Sequence, residues 1–481
     1  MRIHKVSRFA FLGSVVAFGG CGDDEARSSL TGPASDGGAG VGADADADGT
    51  VGSESGAPDD GAIGGDAGRD AHGDAPSQDA IPPQDAVSHD VSGATVSTAA
   101  ELKAALSNAA PGTTIVVACG RYVDTASDSD GQHAFSPAQS GSATAPITLQ
   151  SETKGCAVLA ARDNNTAALS IEGRSYIVID GFKVEGMLAL NNSSNNTLKN
   201  NDVTIGGLLW SDPSLHWGIA LHSGSNNNIV RNNKVSEMGS FGAGNGNHNT
   251  AAVLVGFNAN NNVIENNDAD AGATAYSAFG QKGGDISGNM WRNNIARNGK
   301  AGFLGMGSTD GTLWSQDNSI YQNIVLNSAR AFEFDHNTRQ FSIYNNTAYN
   351  VQLFVWSIAE DGQPNTAHKF WNNIVADTAV VGYDVNGAPS SNFSALLSES
   401  NYNDFIGVTD MAHWNWGGGK YVTLTNWKAT GFDANSISAN PLFVSAPGNL
   451  KLQSGSPVKG TGKGGVDMGA YPTGAEVIGI Q

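Results

Sequence analysis

One short motif limits what this chain can fold into more than any other feature: an apolar residue, a spacer, a pair of asparagines, a second spacer and another apolar residue. It appears as Leu198-Lys199-Asn200-Asn201-Asp202-Val203 and returns around Asn232-Asn233, Asn266-Asn267, Asn293-Asn294, Gln322-Asn323, Asn345-Asn346 and Asn372-Asn373. The second members of these pairs are 32, 34, 27, 29, 23 and 27 positions apart. Seven copies at such a period describe a solenoid, in which each repeat buries its apolar face only against its neighbours. Between the pairs lie period-two apolar strings such as Ile219-Ala220-Leu221, Val253-Leu254-Val255 and Phe332-Glu333-Phe334, with no helical period of useful length. Each repeat therefore reads as strands joined by turns. Asparagine tolerates the left-handed backbone region that tight turns need, and amides stacked coil upon coil can hydrogen-bond along the axis. The pattern predicts an all-β stack of short coils with an internal asparagine ladder.

Composition marks where the stack stops. None of the 46 asparagines in the 481 residues falls in the first hundred positions. Residues 22 to 95 instead carry 16 acidic and two basic residues among Gly, Ala and Ser, and hold most of the formal charge of −20. Such a segment has too little apolar surface to offset its chain entropy, so a disordered, self-repelling linker is expected there. Ahead of it, Arg2, Lys5 and Arg8 precede the apolar run Phe9 to Phe18, which suits a signal-peptide core and is too short to span a bilayer. The run ends in Phe18-Gly19-Gly20-Cys21, which resembles the lipobox of bacterial lipoproteins. That resemblance implies lipidation of Cys21 and a protein anchored to a bacterial membrane, facing the surface or the periplasm; plain secretion is the alternative. The domains are then a signal peptide at 1–21, a linker at 22–95 and one folded domain at 96–481.

In an exported chain Cys119 and Cys156 are expected to form a disulfide, two buried thiols being the alternative. An acidic chain with no basic stripe is repelled by phosphate backbones, which argues against nucleic acid as partner. With no apolar stretch of about twenty residues, membrane contact is expected only through the lipid.

The repeats resemble those of right-handed parallel β-helix proteins, over nearly all of residues 96 to 481. Thr98 to Asn108 reads as an amphipathic helix with Leu102 and Leu106 on one face, followed by Pro111-Gly112 and the strand Ile115-Val116-Val117. This opening is similar to that of the chondroitinase B and alginate lyase group. The stretches Ser436 to Phe443, Ser454 to Pro457 and Asp467 to Tyr471 resemble the closing segment of the superfamily. The resemblance implies a single right-handed β-helix with an N-terminal capping helix, expected to be a monomer.

The middle coils resemble the ninth polysaccharide lyase family. Asn298-Gly299…Gly302-Phe303-Leu304-Gly305 and Ala331-Phe332-Glu333-Phe334-Asp335-His336-Asn337 carry the likeness. That family's catalytic lysine would fall at Leu304, and its calcium-binding aspartates near Ala273 to Ser277, where this chain has no carboxylate. The family's own site is therefore not matched, and candidates are sought elsewhere. A lyase acting on a uronate must neutralise the carboxylate, take the C5 proton and protonate the leaving oxygen. Lys282 and His336 are the candidate proton acceptors. Glu333 and Asp335, alternating with Phe332 and Phe334, are expected to face outward and hold calcium. Trp210 and Trp217, in or beside the longest repeats, together with His222 and Arg339, are the candidate substrate-binding residues; loop packing and a solvated strand face are the alternatives. The expected function is engagement of an extracellular polysaccharide, by β-elimination on an acidic glycan if catalytic, with a non-catalytic glycan-binding or structural surface lipoprotein as the rival.

Overall fold

The computed structural model describes residues 95–124, 133–163, 166–204, 217–236, 250–280, 283–359, 363–377, 381–387, 393–414 and 417–481. The expected signal peptide, the Cys21 lipidation site and the linker up to residue 94 therefore lie outside the described residues, as do Lys282 and Trp210, while Thr95 already pairs with Val116 in the first strand. Among the described residues no helix is long and apolar enough to cross a membrane.

Residues 91–481 form one compact unit, a right-handed parallel β-helix. Three long sheets run its length, two of 12 strands and one of 11. The coil around Asn294 shows the plan: Met290–Arg292 belongs to sheet A, Ile295–Arg297 to sheet B and Ala301–Met306 to sheet C. Each strand pairs in parallel with its counterpart one coil on, as in Ile264↔Trp291↔Ile320 and Ala269↔Ala296↔Val325.

The asparagine pair makes the sharp turn from sheet A to sheet B. Its first member takes a left-handed backbone, with φ between 52° and 59° from Asn200 to Asn372, Gln322 included. Its second member points inward and is buried. Asn201, Asn233, Asn267, Asn294, Asn323, Asn346 and Asn373 each donate Nδ2 to Oδ1 of the next amide at 3.0–3.1 Å, and the row continues to Asn403. Asn403 donates to the buried carboxylate of Asp433, which also accepts from Ser400, Ser436 and Trp427 and so terminates the row. A second row, Asn196, Asn228, Asn262, Asn289 and Asn318, lines the turn before sheet A with the same pattern. The amide donors of both rows thus find acceptors, as a water-free interior requires.

Both ends are closed. The helix Ala99–Asn108 is capped by Thr98 and Glu101 in a reciprocal capping box, and it buries Leu102 and Leu106 over the first coil. Cys119 and Cys156 form a disulfide at the first coils of sheet B, beside the Gly120↔Ala157 pairing. At the other end Trp427 packs on Tyr383 and Phe393. The chain after Ile437 then runs back over the outward side of sheet B. Asn372, Asn345 and Asn266, first members of their pairs, donate to carbonyls of Lys463, of Asp467 and Gly469, and of Val477 and Gly479. This strap buries Ile374 and Ile324 against Val458, Met468 and Leu450.

Candidate functional site

Sheet C presents its alternate residues outward, and pairing register aligns them in rows. One row runs Ala220, Leu254, Ser277, Leu304, Glu333, Trp356, Asp384 and His413, one residue per coil. Its early members belong to an apolar cluster with Phe279 and Met306, and all are buried as far as Trp356. Glu333 and Asp335 do face away from the core, as their alternation with Phe332 and Phe334 predicts, yet they are 1% and 2% exposed, and His336 is buried with them. A solvent-facing carboxylate pair is thus not what the fold makes of this strand. Alternation sets direction, but exposure depends on what lies above the sheet.

Glu333 already has a cation. Arg330 Nη1 lies 2.8 Å from Glu333 Oε1, and the same guanidinium sits 3.8 Å above the Trp356 ring centroid. Calcium needs six to eight oxygen ligands. A carboxylate engaged by arginine and walled by an indole does not fit that requirement. Cys119, Cys156 and Glu152 also lie close together, but the disulfide leaves no thiolate to bind a metal.

The remaining candidates are dispersed. His222 is on the row that leads to Asp335, but Gly256, Phe279 and Met306 stand between them, so the two are about four strand spacings, roughly 19 Å, apart. His222 instead lies beside Trp217 and Phe257, with ring centroids 6.3 and 6.4 Å away, and burial lowers its pKa. Arg339 belongs to a small side sheet, where Gln316 accepts from its Nε and the Trp314 ring lies beneath its guanidinium. It binds its own fold.

Chemistry-bearing groups with solvent access meet at the last coil. Asp384, His413 and Lys420 lie side by side on three adjacent strands, Val381–Asn386, Asp410–Trp414 and the antiparallel Gly419–Tyr421. Neighbouring strands place them about 4.8 Å apart along the backbone. Burial raises the pKa of Asp384, against a hydrogen bond from Asn386 and the charges of His413 and Arg330. His413 Nε2 lies 2.9 Å from Asp410 Oδ2, and Lys420 Nζ is 3.5 Å from the same oxygen. The hydrogen bond from His413, then Lys420, holds the Asp410 carboxyl below its ordinary pKa. The Asp410 carboxylate, hydrogen-bonded to Nε2, orients the imidazole and leaves Nδ1 outside that bond. The array offers a carboxyl biased toward its acid form, an oriented imidazole and an ammonium group that is half exposed. None of these residues was reached from sequence, although Asp384 and His413 both sit in alternating strings, Tyr383-Asp384-Val385 and Ala412-His413-Trp414.

No protein-family model matches the chain, and no curated protein matches it. Among solved structures it is similar to an alginate lyase from Paenibacillus sp. str. FPU-7, with 20% identity, a TM-score of 0.41, and 68% of this chain and 98% of that one covered. It is also similar to pectate lyase Pel9A, at 15% identity, TM-score 0.45 and coverage of 76% and 90%. A mannuronic acid-specific polysaccharide family 6 lyase from human gut microbiota matches at 15% identity, TM-score 0.46 and coverage of 68% and 77%. At such values the likeness concerns the fold alone, and the pairing of strands already establishes that fold: the chain is a right-handed parallel β-helix.

Proposed function

We propose that this chain cleaves an acidic polysaccharide by β-elimination at Asp384, His413 and Lys420. The observation that carries the reading is their registered row on three neighbouring strands, which puts an acid, a base and a cation within reach of one sugar. Lys420 would neutralise the uronate carboxylate and so acidify C5. His413 Nδ1 takes the C5 proton, the electron pair forms the C4–C5 double bond, the C4–O bond breaks, and Asp384 gives its proton to the departing oxygen. Asp410 keeps the imidazole oriented through its contact with Nε2. Proton return from His413 to Asp384 through solvent restores the site.

Supporting this reading at the level of architecture, the chain has the fold of the lyases it is similar to; the chemistry rests on the residues. Export and lipidation through Cys21 are part of the proposal, and would bring the site to extracellular glycan. The test is incubation of the full chain with pectate, alginate and glycosaminoglycans while following ultraviolet absorbance of unsaturated uronate. Asp384→Asn and His413→Ala are each expected to lower the rate about 10²-fold or more without loss of β-sheet circular dichroism. Loss on Lys282→Ala alone would move the base to the earlier candidate. Glycan binding with no rise in absorbance on any substrate would favour the non-catalytic surface role, which the burial of Glu333 and Trp356 also suits.

A further inference from the structure

We infer that the site at Asp384, His413 and Lys420 receives the end of a glycan chain and not its interior. The inference rests on the elimination proposed above and specifies its substrate. An enzyme that cuts within a polymer must seat sugars on both sides of the reacting bond, so its surface continues past the catalytic groups in two directions. Here it does not.

Toward the N-terminal end of the stack the row meets Trp356, 7% exposed, then Glu333, Leu304 and Ser277, each at 2% or less. The Trp356 ring face that a sugar would stack on is taken by the Arg330 guanidinium, which Glu333 holds in place. Along its own strand Asp384 is flanked by Val381 and Asn386, both buried, and Ile358, paired with Asn386 on the preceding coil, is buried too. On the remaining side lies Lys420, 51% exposed on the final strand of the sheet. Among the described residues, the neighbours of Asp384 toward Trp356 and along its own strand are thus buried, and the exposed side chain of the array is the Lys420 ammonium group on the remaining side. A polymer laid across Asp384 would have to pass through the Trp356–Arg330–Glu333 wall. A terminal sugar enters from the Lys420 side, and the cation at the mouth selects a terminal residue that carries a carboxylate.

The experiment uses the full chain with polygalacturonate, alginate and hyaluronan, and follows viscosity and ultraviolet absorbance in the same samples. End-on cleavage predicts that absorbance climbs while viscosity barely moves, that the shortest unsaturated product is the first to appear, and that presheared polymer at equal mass reacts faster in proportion to its number of ends. An early ladder of product sizes with a prompt fall in viscosity would overturn the end-on mode and leave the elimination standing. No new absorbance on any of the three polymers would overturn the elimination and the mode together.

Discussion

Two buried ionisable residues pull the stability of this protein in opposite directions with pH. Asp404 is fully buried on the outward side of sheet B; Ala439 N donates to its Oδ1, its Oδ2 has no hydrogen-bond partner among the described residues, and burial raises its pKa to about 7 from 3.8. The folded chain therefore holds a proton that the unfolded chain releases, and this stabilisation, complete below the unfolded value, is lost as pH rises toward about 7. His368, buried with Phe334 and Phe341 packed against it, accepts from Phe341 N and has its pKa lowered by burial to about 3 from 6.5. It must stay neutral, so its stabilisation is present above the unfolded value and is lost as pH falls from about 6.5 toward 3. The two slopes oppose each other between about pH 4 and 6.5. Asp404→Asn is expected to raise stability at pH 8 by a few kcal/mol, since each tenfold change in proton affinity is worth roughly 1.4 kcal/mol, and to change little at pH 4. Denaturant midpoints across pH check this, and equal gains at both pH values would contradict it.

At the scale of the coil, the two members of each asparagine pair have different duties and should fail differently. Asn293 supplies a left-handed turn, and replacing it with alanine costs about 1–2 kcal/mol of backbone strain. Asn294 donates to Asn323 Oδ1 and Ile264 O, and accepts from the side chain and backbone of Asn267. Asn294→Ala removes both donors, leaves Asn267 N without its acceptor and Asn267 Nδ2 with Val230 O alone, and does so in a dry interior, where each orphaned group costs about 1–3 kcal/mol. The second variant is expected to lose at least twice the stability of the first in urea titrations; equal losses would mean that water enters the row. The same pair also counts out the outward row of sheet C. Ten residues after Asn267, Asn294, Asn323, Asn346 and Asn403 come Ser277, Leu304, Glu333, Trp356 and His413. The ruler was present in the sequence, but its last mark, Tyr402-Asn403, is not an asparagine pair, and one extra residue sets Asp384 eleven after Asn373. Both site residues fell outside the motif for that reason.

Across the whole molecule, the strap on sheet B has a sequence signature of its own. The residue just after each pair faces outward there, and it changes from Asp202, Lys234 and Asp268 to Ile295, Ile324, Thr347 and Ile374. The change from charged to mostly apolar falls where the C-terminal segment ends its return path, with Gly479 N bonded to Asn293 O. Removing residues 458–481 would strip Val458 and Met468 from Ile374 and part of the cover from Ile324 and Ile295, where a fully buried isoleucine is worth about 1.5–3 kcal/mol. The shortened chain is expected to melt at lower temperature and to bind a hydrophobic dye; unchanged melting would show that the strap adds nothing to the coils beneath it.

The coil itself is a matter of local sequence. A left-handed turn, an inward amide and an apolar residue on either side are requirements repeated every coil, so seven copies specified parallel stacking, and the apolar face of residues 98–108 marked the start. Which outward positions meet solvent is settled by packing between distant parts of the chain. Glu333 and Asp335 point outward as alternation requires and are nevertheless buried, because cover over a sheet comes from segments that share none of its period. The same holds for the site: Asp384 and His413 are 29 residues apart and adjacent only because one coil of chain lies between them, while Lys420 joins them through a strand that reverses the stack. Period sets direction and register; exposure and convergence depend on contacts between distant segments.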